Sequence, residues 1–121
     1  MKPGIKLYIE TEDGEGLFGD GRFRLLRKID ETGSIRQASR ELSRGYRKAW
    51  EDIRRLEEKL GRQVVIRSRG GCGGGSAELT EFGRKMLKAW ERYRDEVCRG
   101  AEDSYRNHIE EIIEEAERDE R

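Results

Sequence analysis

Several residue types that build common binding and catalytic sites are scarce in this chain. Its 121 residues include only two cysteines, Cys72 and Cys98, and one histidine, His108. A structural zinc site needs four closely spaced Cys or His ligands, and a disulfide scaffold needs more cysteine, so the sequence indicates neither. We expect no metal and no cofactor, and no spacing of residues typical of a catalytic site supports an enzyme.

Apolar residues are scarce as well. Only 33% of the residues are hydrophobic and 43% are charged, so the core must be small. No stretch approaches the ~20 apolar residues that span a bilayer, and the first residues lead into no apolar run of a signal peptide. We therefore expect a single domain with an appendage, located in the cytoplasm and without a membrane-spanning segment.

Charges of the two signs are unevenly distributed along the chain. Residues 21–76 carry 15 basic and 7 acidic side chains, a net charge of +8. Residues 1–20 and 77–121 have net charges of −3 and −5. A basic middle between acidic ends indicates a local surface for a polyanion, because ordinary solvated helix faces would scatter the two signs.

Turn residues and apolar periodicity predict a strand pair and three helices in the first half of the chain. Ile5, Leu7 and Ile9 alternate with polar residues as in a half-buried strand, and the returning strand begins at Leu17. Asp20 is expected to cap the first helix. The three helices are predicted over about 22–31, 34–42 and 45–60.

The second and third predicted helices carry clear local signals. Ser34, with Gln37 three residues later, matches the S-x-x-Q capping box. The third helix has an apolar stripe with spacings of three and four, which predicts one buried face. The stripe comprises Tyr46, Ala49, Ile53, Leu56 and Leu60. Packing is favoured over base stacking for Tyr46 and for Trp50, which lies beside the stripe.

A glycine-rich segment, RGGCGGGS at 69–76, lies between two predicted strands, 64–69 and 76–79. It is no phosphate-binding loop of the G-x-x-x-x-G-K type, because Ser76 occupies the position of the lysine. Cys72 has no histidine base nearby in the sequence, so we do not expect it to be a nucleophile. The segment is predicted to be the tip of a hairpin, which Arg67 and Arg69 approach.

Thr80 is expected to cap a long helix whose apolar stripe exceeds what so small a domain can cover. A partner chain would cover its far half, so we predict a homodimer. The residues predicted to dimerise are Phe82, Met86, Trp90, Tyr93 and Val97. Gly100 is expected to interrupt the helix, and the acidic tail, 110–121, is expected to lie away from a bound polyanion or to pack into the dimer.

The order strand, three helices, strand, loop, strand, long helix is that of a winged helix-turn-helix DNA-binding domain. The predicted fold class is therefore α+β and mainly helical, with a long C-terminal dimerisation helix. In this geometry the third helix enters the major groove and the hairpin, or wing, contacts the DNA backbone or minor groove. The predicted domains are 1–79, with a wing at about 64–79, and the helical region 80–121.

Three motifs resemble the N-terminal domain of the ModE-type molybdate-responsive regulators, which are relatives of the LysR-type domains. The motifs are GSIRQA at 33–38, YRKAW at 46–50 and RGGCGGGSAELTEFG at 69–83. The resemblance covers about residues 5–97 and implies a dimeric transcription factor. Full-length members add a C-terminal oxyanion-binding domain, for which we expect no counterpart here, so molybdate or tungstate binding is not expected.

The predicted function is sequence-specific binding of double-stranded DNA by a homodimeric transcriptional regulator. Arginine suits base reading because its guanidinium group can pair with guanine, whereas lysine more often contacts phosphate. The residues predicted to contact DNA are Ser34, Gln37, Arg44, Tyr46, Arg47, Lys48, Arg55, Arg67 and Arg69. The alternatives are a non-specific architectural DNA-binding protein and a coiled-coil interaction module. The operator, the direction of regulation, any controlling ligand and the roles of the two cysteines stay open.

Overall fold

A computed structural model describes residues 1–68 and 75–119. Its strands are β1 (Tyr8–Glu10), β2 (Gly16–Gly19), β3 (Val65–Ser68) and β4 (Ser76–Leu79). Its helices are α1 (Asp20–Thr32), α2 (Ile35–Glu41), α3 (Tyr46–Leu60), α4 (Glu81–His108) and α5 (Glu110–Asp119). β1 pairs antiparallel with β2, and β3 pairs antiparallel with β4 in a second small sheet. The predicted α+β winged helix-turn-helix fold with a long helix after the wing is confirmed.

The chain divides into two compact units. Leu7–Trp90 contains both small sheets, the first three helices and the start of α4. Met1–Lys6 together with the residues from Glu91 onward forms the other unit. Within the ranges that the structure describes, no helix combines the length and the apolar character that crossing a membrane requires.

The core of the Leu7–Trp90 unit is built from one face of each helix and from the inward residues of the wing. Its buried residues include Leu25, Leu26 and Ile29 of α1, Ile35 and Ala38 of α2, Ala49, Ile53 and Leu56 of α3, and Val64, Val65, Ala77 and Leu79 around the wing strands. The predicted α3 stripe is thus confirmed at its centre. Tyr46 differs, because it lies in the first turn of α3 and stays 40% exposed.

The predicted helix ends are confirmed in part. Gly33 and Gly61 end α1 and α3 in the left-handed conformation, which glycine adopts without steric cost. The Ser34 Oγ accepts a hydrogen bond from the Gln37 N–H at 3.0 Å. The expected return bond from the Gln37 side chain is absent among these contacts, because Gln37 Nε2 donates to Glu41 and the Ser34 N–H donates to Thr32 Oγ1.

The predicted cap at Asp20 is wrong. α1 begins at Asp20 itself, with Gly19 at the N-cap position and no side-chain capping bond. The Asp20 carboxylate instead accepts a hydrogen bond from Trp90 Nε1 at 3.3 Å. The local pattern assigned this carboxylate to the end of the helix, but its hydrogen-bond donor is a residue 70 positions away in the chain.

α4 differs from prediction in two respects. It continues through Gly100 to His108, because a single glycine costs a helix only about 1 kcal/mol relative to alanine. Its first part also packs against its own chain, although residues of this part were among those predicted to contact a partner chain. Trp90 is 2% exposed and meets the Phe18 ring edge-to-face at 5.2 Å. Phe82 and Met86 likewise pack against the core. The Thr80 cap is confirmed by its bond from the Gly83 N–H at 2.9 Å.

Candidate nucleic-acid interface

The predicted recognition helix, α3, follows α2 after a short turn and is held by its one buried face. The turn closes where the Arg44 N–H donates to the Ser39 carbonyl at 2.8 Å, with Ser43 in the left-handed region at φ 53°. Gly45 precedes α3 and offers no side-chain cap. The first turn of α3 is therefore fixed by backbone bonds and by the packing of its buried residues.

The face of α3 away from the core is basic. Arg47, Lys48 and Arg54 are exposed there, together with Glu51. Arg47 and Arg54 have no hydrogen-bonding or ionic partner among the described residues. Such side chains can meet an external anion without first breaking an internal bond. Arg47 is in the first turn of α3, which is the end that a recognition helix presents to base edges.

A row of two adjacent aromatic rings with a cation at each end links α2, α3 and β3. The Arg36 Cζ lies 4.4 Å from the centroid of the Tyr46 ring. Tyr46 and Trp50, one turn apart on α3, meet edge-to-face with their centroids 6.5 Å apart. The Arg67 Cζ of the wing strand lies 3.2 Å from the Trp50 centroid. We call these four residues the cation–aromatic row. Each ring face attracts the cation that lies over it, which orders two long side chains.

The row explains two outcomes of the sequence analysis. Tyr46 and Trp50 serve as packing platforms, although for arginine side chains rather than for the core alone. Arg36 was missed, and the signal that could have identified it is its position on the second helix, within the motif GSIRQA. The row also connects Arg67 of the wing to α3, so these two predicted parts of the site share one surface.

A buried carboxylate, also missed from the sequence, lies on the other side of the first turn of α3. Asp52 is 6% exposed. The Arg44 Nη1 lies 3.0 Å from its Oδ2, and the Lys48 Nζ lies 3.4 Å from its Oδ1. Arg22 Nη2 of α1 lies 3.5 Å from Oδ1 as well. We call these four residues the Asp52 cluster.

Arg55 is held by an acid of the β1–β2 turn. Its Nε lies 2.5 Å from Glu15 Oε1, and the Lys59 Nζ lies 3.3 Å from Glu15 Oε2. The hydrogen bond from Lys59 and the charge of Arg55 hold the pKa of Glu15 below its usual range. An exposed arginine with an ion pair in its own chain is a weaker candidate for DNA contact than Arg47.

Of the other residues that the sequence singled out, some lie within the described ranges and some lie outside them. Ser34 is the N-cap of α2 and Gln37 is exposed in its first turn. Arg69 and Cys72 lie outside the described residues. Cys98 is a partly buried free thiol on α4. Within the described ranges, no three His, Cys, Asp or Glu side chains are grouped so as to hold a metal ion.

Comparison with known proteins identifies similar domains. The family model described as bacterial regulatory helix-turn-helix protein, lysR family, matches residues 21–84. The chain is 33% identical over 82 residues to the molybdenum transport protein ModE of Azotobacter vinelandii, covering 68% of this chain and 30% of that protein. It is 34% identical over 92 residues to the DNA-binding transcriptional dual regulator ModE of Escherichia coli K12, covering 75% of this chain and 34% of the relative.

The similarity extends to a relative with a different name. The molybdenum-pterin-binding protein MopB of Rhodobacter capsulatus is 39% identical over 72 residues, covering 60% of this chain and 27% of that protein. The chain thus spans about a third of the length of the relatives that it matches. The predicted resemblance to a ModE-type domain with a LysR-like helix-turn-helix is confirmed.

Proposed function

From the premise that the chain belongs to the LysR family of bacterial helix-turn-helix regulators, we propose that it binds double-stranded DNA sequence-specifically as a transcriptional regulator. We further propose that it acts as a homodimer in the cytoplasm and has no enzyme activity. The name of the Escherichia coli relative, a DNA-binding transcriptional dual regulator, supports the first part. We do not extend the proposal to molybdenum binding, because about a third of the length of those relatives is matched.

The cation–aromatic row is the observation that carries this proposal. It joins α2, α3 and the wing strand through contacts of 4.4 Å and 3.2 Å between guanidinium carbons and ring centroids. Arg47 lies in the same first turn of α3 as Tyr46 and has no partner among the described residues. Cations on three successive elements that share a surface match the phosphate contacts of a duplex, which supply affinity without reading sequence.

Different residues are proposed to serve affinity and specificity. Arg47, at the start of α3, is proposed to read a base edge in the major groove, where its two donors can pair with guanine. Arg67 is proposed to contact the DNA backbone, because Trp50 holds its guanidinium group at the wing. Ser34, Gln37, Tyr46 and Lys48 are proposed to complete the contact surface. Arg44 and Arg55 are assigned to structural ion pairs rather than to DNA.

A pair of substitutions tests this division. A preferred duplex is first selected from a random pool, and its affinity is then compared with that of a random duplex at one salt concentration. Arg47→Ala is expected to reduce the preference by about 5- to 150-fold, the value of one bidentate base contact. Arg67→Ala is expected to weaken both duplexes equally and to lower the salt slope by about 0.9.

Arg27→Ala is the matched control, because Arg27 is an exposed α1 arginine that is ion-paired with Glu31. It removes the same charge and is expected to change the preference little. If Arg47→Ala and Arg67→Ala both behave like this control, the assigned surface is wrong. Equal affinity of the unaltered protein for both duplexes would instead favour an architectural role, and no duplex binding at physiological salt would favour an interaction module.

A further inference from the structure

Asp52 concentrates three positive side chains at the start of the recognition helix. Its carboxylate oxygens lie 3.0 to 3.5 Å from nitrogen atoms of Arg44, Lys48 and Arg22. These cations come from three places, namely α1, the turn before α3 and α3 itself. A single buried carboxylate therefore fixes the positions of basic groups that the chain brings together from separate segments.

Burial makes this arrangement different from a surface ion pair. Asp52 is 6% exposed, while the side chain of Arg44 is 25% exposed and that of Arg22 is 18% exposed. If a cation left this carboxylate for a DNA phosphate, the buried negative charge of Asp52 would be less well neutralised. Leaving a buried charge without a partner costs free energy. Surface cations without such a partner pair with phosphates wherever these lie along the duplex. The Asp52 cluster therefore limits how freely its cations can pair with DNA.

We propose that Asp52 is a positioning residue for DNA recognition, an inference that rests on the proposed function. Asp52 orients Lys48. It also anchors Arg22 and Arg44, so that these two arginines add little to the non-specific attraction of DNA. The contacts of the first turn of α3 then decide which sequence is bound. Removing the negative charge of Asp52 frees Arg44 and releases Lys48 from its fixed orientation, while Arg22 keeps its bonds to the Gly16 and Leu17 carbonyls. This strengthens binding to any duplex and reduces the preference for one sequence.

Asp52→Asn and Glu58→Gln form a matched pair that tests this inference. Each removes one negative charge from α3, but Glu58 is exposed near the end of the helix and has no ionic partner among the described residues. We expect Asp52→Asn to steepen the plot of log affinity against log salt for a random duplex by about 0.9 for each cation released. At about 0.15 M salt this corresponds to roughly fivefold tighter non-specific binding per released cation. Glu58→Gln is expected to leave the slope unchanged.

The outcomes separate this inference from the function on which it rests. If the unaltered protein binds no duplex, the proposed function fails and the role of Asp52 fails with it. If the unaltered protein binds but the two variants have equal slopes and equal sequence preference, only the role of Asp52 is overturned. A merely structural role would weaken binding to all duplexes through unfolding, and would not steepen the slope.

A second pair of variants keeps the inference testable if Asp52→Asn does not fold, which circular dichroism would reveal. Arg44→Gln removes a cation that Asp52 already holds, so the salt slope is expected to stay unchanged. Arg67→Gln removes a proposed phosphate contact, so the slope is expected to become shallower by about 0.9. An equal loss of slope in both variants would mean that Arg44 contacts DNA directly, which overturns the inference.

Discussion

Among single residues, Gly83 determines how closely α4 approaches the wing strand. A Cβ atom at this position would lie 2.4 Å from the Val64 carbonyl oxygen and 3.4 Å from the Leu79 Cβ. The same Val64 carbonyl accepts the Thr80 N–H at 3.0 Å, so it cannot move away without breaking that bond. The absence of a side chain at Gly83 is therefore what lets α4 cover the core with Phe82, Met86 and Trp90.

Gly83→Ala is expected to destabilise the fold by about 1–3 kcal/mol, the usual cost of forcing an extra methyl group into a packed contact. Urea unfolding followed by circular dichroism measures this change. Gly100→Ala is the control in the same helix, because a Cβ there meets nothing within 4 Å. It is expected to stabilise the protein by about 0.5–1 kcal/mol. A Gly83→Ala variant as stable as the Gly100→Ala variant would contradict this account.

Among the elements, the β1–β2 turn is tied to α3 by charge. Glu15 lies in the turn, and its carboxylate lies 2.5 Å from Arg55 and 3.3 Å from Lys59, both on α3. These contacts lower the pKa of Glu15 below its ordinary value of 4.5, chiefly through the hydrogen bond from Lys59. A carboxyl group whose pKa is lower in the folded state stabilises the fold above its unfolded pKa, and this contribution is lost as the pH falls.

Glu15→Gln is therefore expected to lower the melting temperature near neutral pH, where the carboxylate is charged. The difference from the unaltered protein is expected to shrink as the pH falls below the ordinary value of 4.5, because both side chains are then neutral. Glu12→Gln, in the same turn and exposed, is the control and is expected to have little effect at any pH. A pH-independent difference for Glu15→Gln would show that charge is not the cause.

At the scale of the whole molecule, the proposal that remains is the homodimer. The first three residues of the predicted dimer stripe pack within the chain, which leaves Tyr93 and Val97 as its candidates. Tyr93 is 43% exposed and Val97 is partly buried. A two-fold symmetric regulator recognises two half-sites whose centres are one helical turn of DNA apart, about 34 Å, or a multiple of that distance.

Sedimentation equilibrium is expected to give twice the mass of the 14.1 kDa chain. Val97→Asp places a charge in the stripe and is expected to shift the protein toward monomer, because an unpaired charge is costly to bury. Arg92→Glu, an exposed residue outside the stripe on the same helix, is the control and is expected to leave the mass doubled. A monomer at all concentrations, or equal dissociation by both variants, would contradict the dimer or this contact.

The candidate site was predictable where its signals are local. The Ser34 cap, the turn before α3 and the exposed Arg47 follow from residues within four positions of one another. Arg44 illustrates the limit, because the sequence predicts a DNA contact for it but does not reveal that Asp52, eight residues on, lies 3.0 Å away. Arg67 shows the same limit in a case where the structure supports the predicted contact. Its stacking partner Trp50 lies on another element, which the residues next to Arg67 in the sequence do not reveal.

The sequence predicted most of the helices and strands, because caps, glycine stops and apolar periodicity act within one or two helical turns. It also determined that the middle of the chain is basic, since charge needs no fold to be counted. Which cations are available and which are already paired became clear only from the folded chain. That depends on contacts between distant segments, such as Arg22 with Asp52 and Asp20 with Trp90, which no local pattern contains.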